Sequence, residues 1–186
     1  LPVISLFATF ITYNKLDSKN GPETGIIHEV WEAKSRFIHG GKDTLDPKIE
    51  KEMDAALKQR ADEWFAKGQD LLRFDGTNID RSQNDAALNA FNESIGLNPN
   101  NNPAYFFRGI AYSNRGDYVL AIKDLDKAIE SNPTHFTAFF YRGLTYSKLG
   151  NYATAIKNFD KAIELVPQFP SAYFSRGNAH WMLGNR

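Results

Sequence analysis

No cysteine occurs among the 186 residues, which excludes disulfides, thiolate metal sites and a cysteine nucleophile. An excess of charge of one sign is missing as well: Lys plus Arg and Asp plus Glu each number 22. Without a net field there is no global attraction toward nucleic acid or an acidic membrane, so no nucleic-acid partner is expected. Residues 1–101 carry 12 basic and 16 acidic side chains and residues 102–186 carry 10 and 6, an imbalance that solvated helix faces produce routinely.

Catalytic signatures are equally scarce. His28, His39, His135 and His180 show no metal-ligand spacing such as H-E-x-x-H, and there is neither a glycine-rich phosphate loop nor a nucleophile elbow. Carboxylate pairs such as Glu50 with Asp54 and Asp124 with Asp126 fall on faces expected to be solvated. With no convergent nucleophile, base and electrostatic group, the sequence predicts no enzyme, no metal, no cofactor and no small-molecule substrate. Asn92-Glu93-Ser94 is a formal glycosylation acceptor, but it lies inside a predicted helix.

Long apolar runs are also wanting. The most hydrophobic stretch, Leu1 to Tyr13, has no charge yet falls short of the roughly 20 residues a membrane span requires. It reads either as the end of a longer anchor or signal segment or as an element tucked onto the protein's own surface; the first residue, Leu1 rather than Met, is expected of a processed or cut chain. Such a segment needs a cover, from the protein's own surface, a neighbouring subunit or a membrane.

What is present is a repeat. Apolar residues at 42% and charged residues at 24% suit a folded globular chain, and Pro99, Pro133 and Pro167 lie 34 residues apart, as do Gly116, Gly150 and Gly184. Residues 121–130 and 155–164 are identical at eight of ten positions. Arg108-Gly109, Arg142-Gly143 and Arg176-Gly177 recur in register, followed by Tyr112, Tyr146 and His180. The aromatic, glycine and tyrosine fall at i, i+4 and i+7, one face of a helix. Glycine on that face permits close approach of a second helix, on which Ala121, Ala128, Ala155 and Ala162 do the same while Leu125 and Phe159 fill the space between. Gly116-Asp117 and Gly150-Asn151 make the turns, and Pro133 and Pro167 end the second helices.

These residues resemble the tetratricopeptide repeat family. One unit reads Tyr105, Gly109, Tyr112, Ala121, Leu125, Ala128 and Pro133; the next reads Phe139, Gly143, Tyr146, Ala155, Phe159, Ala162 and Pro167. The Arg-Gly pair is similar to a variant of bacterial and organellar members. Reading of a carboxylate or phosphate is the alternative use of three such arginines, and pairing of each with a local acid or carbonyl is the expected role. The resemblance covers about residues 60–186 and implies an all-α fold, an α-α superhelix of antiparallel pairs with an N-terminal helical extension. Its parts are an extension over 1–46 and an array over 47–186, comprising a degenerate unit at 60–101, full units at 102–135 and 136–169, and a partial unit at 170–186. The degenerate unit uses Trp64, Gly68, Leu71, Ala87, Phe91, Ser94 and Pro99, with a lengthened loop over Phe74–Asn84. Asp46-Pro47 is read as the start of a long helix over 47–74, and Ile26–His39 as an amphipathic helix that caps the array.

The resemblance further implies binding of another protein or peptide in a concave groove lined by the first helices. At the family's fifth position stand Phe65, Phe106, Phe140 and Phe174; at the ninth Gln69, Ile110, Leu144 and Asn178; at the twelfth Leu72, Ser113, Ser147 and Trp181. A Phe-lined strip suited to an apolar helix or extended peptide is expected, centred on Phe106 and Phe140. The other reading is a structural subunit of a larger assembly. One branch of the family clamps acidic chaperone tails with Lys, Asn and Arg, but the corresponding positions here hold Phe65, Gln69, Phe107 and Tyr141. That departure argues against the same ligand.

Overall fold

A computed structural model describes residues 47–72 and 81–184. The segment Leu1–Tyr13, the helix read over Ile26–His39, the Asp46 cap and most of the Phe74–Asn84 loop lie outside the described residues. The chain divides into two units, residues 1–60 and 61–186.

The described residues form α-helices and turns, with no strand among them. The helices are α1 (Pro47–Leu71), α2 (Arg81–Leu97), α3 (Asn102–Arg115), α4 (Tyr118–Ser131), α5 (Phe136–Lys148), α6 (Tyr152–Leu165) and α7 (Pro170–Met182). The repeat pattern in the sequence predicts paired helices at roughly 104–115 and 118–131, then 138–149 and 152–165, and so places the ends of α4 and α6 where they are found. It starts α3 and α5 two residues late, because Pro103 sits in the first turn of α3 and His135 caps α5 by accepting from the Ala138 N–H, both of which extend a helix toward its N-terminus.

Turn chemistry sets the connections. Gly116 has φ 97° and Gly150 has φ 77°, left-handed values that glycine adopts without strain. The Gly116 N–H returns to the Tyr112 carbonyl at 3.0 Å, closing α3 and allowing α4 to begin two residues later. Asn151 then caps α6 by accepting from the Thr154 N–H at 3.2 Å.

Successive helices from α2 to α7 pack on one another, with further contacts between α3 and α5 and between α5 and α7. The second-nearest contacts are the mark of a solenoid, in which each unit meets its neighbours. Between the helices the core consists mainly of alanine, including Ala87, Ala104, Ala121, Ala138, Ala155 and Ala172, all fully buried. Small side chains bring backbones close, and Phe91, Leu125 and Phe159 fill what remains. Each of these large side chains lies against the glycine of the preceding helix. A Cβ on Gly68 would fall 2.5 Å from the Phe91 ring, one on Gly109 2.9 Å from Leu125 Cγ, and one on Gly143 2.6 Å from the Phe159 ring. Full burial of one such side chain is worth about 1.5–3 kcal/mol.

Candidate protein-binding face

The groove positions taken from the resemblance differ widely in what they present. Phe65 is half-buried, its ring 6.1 Å from Phe91 and 5.6 Å from Phe107, and Leu72 packs on the cluster of Ala87, Phe91 and Ala104. Gln69 is half-buried. Phe106 is 8% exposed and belongs to the core with Leu125, Ala128 and Ala138. Its ring lies 5.1 Å from Phe107, 5.7 Å from Tyr141 and 4.7 Å from His135. Phe140 is half-buried between Phe159 at 5.8 Å and Phe169 at 4.8 Å. Ile110 and Leu144 pack at the edges of adjacent clusters.

Phe174, Asn178 and Trp181 are open: Phe174 is 73% and Trp181 69% exposed, and Asn178 is exposed between them. The expected uniform strip of four phenylalanines is therefore not what the fold produces. Phe106 and Phe140 are each flanked by the aromatic residue one place along, Phe107 or Tyr141, and Phe65 is enclosed by Phe91 and Phe107 from the following helices. At α7 no described helix follows, and the ring stands clear. Phe107 and Tyr141, which the sequence marks only as departures from the family's clamp, pack between the layers. Their 34-residue spacing as adjacent aromatics is the signal that could have revealed an interlayer seam.

A second layer of polar contacts fixes the helices beneath this face. The buried Thr145 hydroxyl donates to the Tyr141 carbonyl at 2.8 Å and lies within hydrogen-bond distance of the Ser113 hydroxyl at 3.1 Å. Lys148 Nζ reaches the Ser113 carbonyl at 3.3 Å, and partial burial pushes its pKa below the usual lysine value. Asn84 donates to the Ala111 carbonyl at 3.0 Å, tying α2 to α3.

The three arginines form clamps, as expected. Arg108 Nε and Nη2 donate to the two carboxylate oxygens of Asp124 at 2.6 and 2.8 Å, while Nη1 donates to Asn92 at 2.8 Å. Burial alone would lower the Arg108 pKa; the hydrogen bond and charge of Asp124 more than offset it, and the net direction is upward. Arg142 Nε donates to Asn158 at 2.7 Å, and its Nη1 pairs with Asp126. Arg176 Nη1 donates to Asp160 at 2.6 Å. These cations are engaged by neighbouring helices, which is a structural use rather than an anion-reading one.

An open groove of about 650 Å³ runs along α3 and α4, lined in part by Lys123, Asp126, Lys127 and Glu130. Among the described residues no group of three or more His, Asp or Glu side chains could hold a metal ion, and no helix is long and apolar enough to cross a membrane.

Comparison with known proteins agrees with this architecture. Family models described as tetratricopeptide repeat match residues 103–135 and 125–157, and one described as TPR repeat matches 146–184. No curated protein matches the chain significantly. Among solved structures, the first TPR of Spaghetti (RPAP3) bound to the HSP90 peptide SRMEEVD is similar at 20% identity. That match covers 68% of this chain and 95% of that one, with a TM-score of 0.61. MamA is similar at 23% identity over 88% of this chain and 84% of that one, TM-score 0.62. The second TPR domain of human RPAP3, in complex with the HSP70 peptide SGPTIEEVD, matches at 21% identity over 64% of this chain and 97% of that one, TM-score 0.55. At these identities the likeness is one of fold.

Proposed function

Residues 103–184 are tetratricopeptide repeats, and from that premise we propose that the chain is a non-catalytic protein-interaction scaffold that holds an apolar helix or extended peptide of another protein along its first-helix face. Two of the similar structures hold peptides, which supports peptide capture as the general task. The observation that carries the apolar preference is the strip of Phe174 and Trp181 on α7, both mostly exposed, with Asn178 between them to fix a backbone group. Spaced at i, i+4 and i+7, the three residues share one face. Ile110, Phe140 and Leu144 continue the positions inward as half-buried apolar flanks. Rigid aromatic anchors with low ordering cost dominate most interfaces. An acidic tail of the SRMEEVD kind is not the ligand this face suits, because Phe65, Gln69, Phe107 and Tyr141 occupy the positions where the family's clamp places its basic and amide groups.

The test is affinity capture with the 186-residue chain, followed by titration of each captured protein against the wild type and a Phe174→Ala/Trp181→Ala variant. Truncating one such anchor costs on the order of 2 kcal/mol, about thirtyfold in affinity. Both residues are exposed, so the variant keeps its helical circular dichroism. A captured protein that binds the folded variant as tightly as the wild type would show that this strip is not the binding face.

A further inference from the structure

Most cations of the two full units meet a carboxylate: Arg108 pairs with Asp124, Arg142 with Asp126, Lys127 with Glu130 and Lys161 with Glu164. Lys148, the last residue of α5, does not. Its Nζ donates to the Ser113 carbonyl at 3.3 Å and lies 3.4 Å from the Ser113 hydroxyl, and both oxygens are neutral. No carboxylate pairs with it among the described residues; burial lowers its pKa and no acid acts to raise it. Lys123 and Lys157 form no ion pair either, but they stand exposed on α4 and α6, where water solvates the charge.

The lysine is drawn to this place by the end of α3. The Gly116 and Asp117 N–H groups both return to the Tyr112 carbonyl, which leaves the Ser113 carbonyl in the last turn open to a cation. An ammonium has three donors, and Ser113 engages at most two of them. The third donor and the full charge stay uncompensated. Lys148 also belongs to the first-helix face: it follows Leu144 by four positions, one helical turn, and it touches Ser113, which holds the twelfth place of the preceding unit. Both α3 and α7 pack against α5, so Lys148 lies within the array and not at its end. The units on either side put Asn114 and Met182 at its place in the period, and none of the groove positions from Phe65 to Trp181 is charged. One positive charge is thus set into a face made of Ile110, Phe140, Leu144 and serines.

We infer that Lys148 fixes the register and specificity of the peptide held on the first-helix face, by pairing with one Asp or Glu side chain placed about 6 Å from an apolar residue that rests on Leu144. The inference rests on the proposed function and names the partner's chemistry more closely. A distance of about 6 Å is four residues of a helix or two of an extended chain. The acid is a side chain within the peptide and not a chain terminus, because the face continues past Lys148 onto both α3 and α7. A single acid among apolar residues also separates this partner from tails of the SRMEEVD kind, whose several carboxylates would face one cation here.

The probe is a phage-displayed library of random twelve-residue peptides, selected in parallel on the immobilised 186-residue chain and on its Lys148→Gln variant. Glutamine keeps a donor for the Ser113 carbonyl and removes the charge, so the variant keeps the wild-type circular dichroism and melting profile. Peptides enriched on the wild type should carry an Asp or Glu two or four places from a large apolar residue, and those enriched on the variant should lack it. By fluorescence anisotropy, the most enriched wild-type peptide should weaken at least about fivefold with Lys148→Gln in the chain, and equally when its acid is changed to the amide. Making both changes together should add no further loss, since each removes the same interaction. A lysine that served only to tie α5 to α3 would give additive losses. Additive losses, or enriched peptides without an acid at that spacing, overturn the inference; if such peptides still depend on Phe174 and Trp181, the proposed function stands. Peptides indifferent to Lys148 and to that pair alike, or no enriched peptide at all, overturn both.

Discussion

Replacing Gly143 by alanine adds one methyl group at a point where the structure has no room for it. The new Cβ would lie 2.6 Å from Phe159 Cε1, 2.8 Å from Cδ1 and 3.1 Å from Cζ. Even the shortest ordinary contact, 3.4 Å, lies 0.8 Å beyond the first of these (3.4 − 2.6). The ring has nowhere to retreat, being fully buried and held against Phe140 at 5.8 Å. Overpacking of this kind costs about 1–3 kcal/mol. Alanine in place of glycine inside a helix recovers about 1 kcal/mol of propensity, so the net loss is about 0–2 kcal/mol. Gly177→Ala makes the same chemical change on α7 with no atom within 4 Å and keeps the propensity gain. Gly109→Ala should fall between them, since its nearest neighbours are Leu125 Cγ at 2.9 Å and the Ala121 carbonyl at 3.2 Å, and a leucine can yield more than a wedged ring. The Gly143 and Gly177 variants should thus differ by about 1–3 kcal/mol, roughly 2–12 °C in Tm for a protein of this size. Far-UV circular dichroism melts at matched concentration read the difference directly. Equal shifts at Gly143 and Gly177 would mean that the glycines are not selected for helix approach, and the packing logic of the repeat would be wrong here.

Two further predictions concern charge. Asp124 is 6% exposed and the Arg108 side chain 17%, so Asp124→Ala strands a largely buried cation and should cost about 2–3 kcal/mol, less than a fully buried pair because Asn92 still holds Nη1. Asp160→Ala, at a carboxylate 50% exposed, should cost under about 1 kcal/mol; urea unfolding of both variants checks the ratio, and comparable losses would refute the distinction. His135 caps α5 and packs on Phe106, and burial lowers its pKa below the ordinary 6.5. As pH falls the unfolded chain takes up the proton first, so this contribution to stability is complete above about pH 6.5 and is lost as pH falls from there through the folded-state value. His135→Asn puts a capping oxygen in place of Nδ1 and cannot titrate, so its Tm should decline less across that range, whereas parallel pH profiles would show that His135 is not the responsible group.

The chain by itself determined the repeat, and with it the helices. A 34-residue period in glycine and proline can be met only by structural units of equal length, and alanine, glycine and one large residue at helical spacing dictate which faces meet. That is why the ends of α4 and α6 and the close approach at Gly109 and Gly143 are legible in the sequence. The arginine clamps were legible in kind, since a cation beside a packing glycine is expected to pair with a local acid or carbonyl, but the split of Arg108 and Arg142 between two layers was not. Exposure was decided by tertiary structure alone. Phe106 and Phe174 occupy the same place in the period, and no local rule separates them. Phe106 is closed over by Phe107, Tyr141 and His135 from its own and the next unit, whereas Phe174 stands on a helix with no described layer beyond it. Burial is a property of what lies across the interface, and a repeat that specifies each unit's own faces is silent on where the stack meets solvent or a partner.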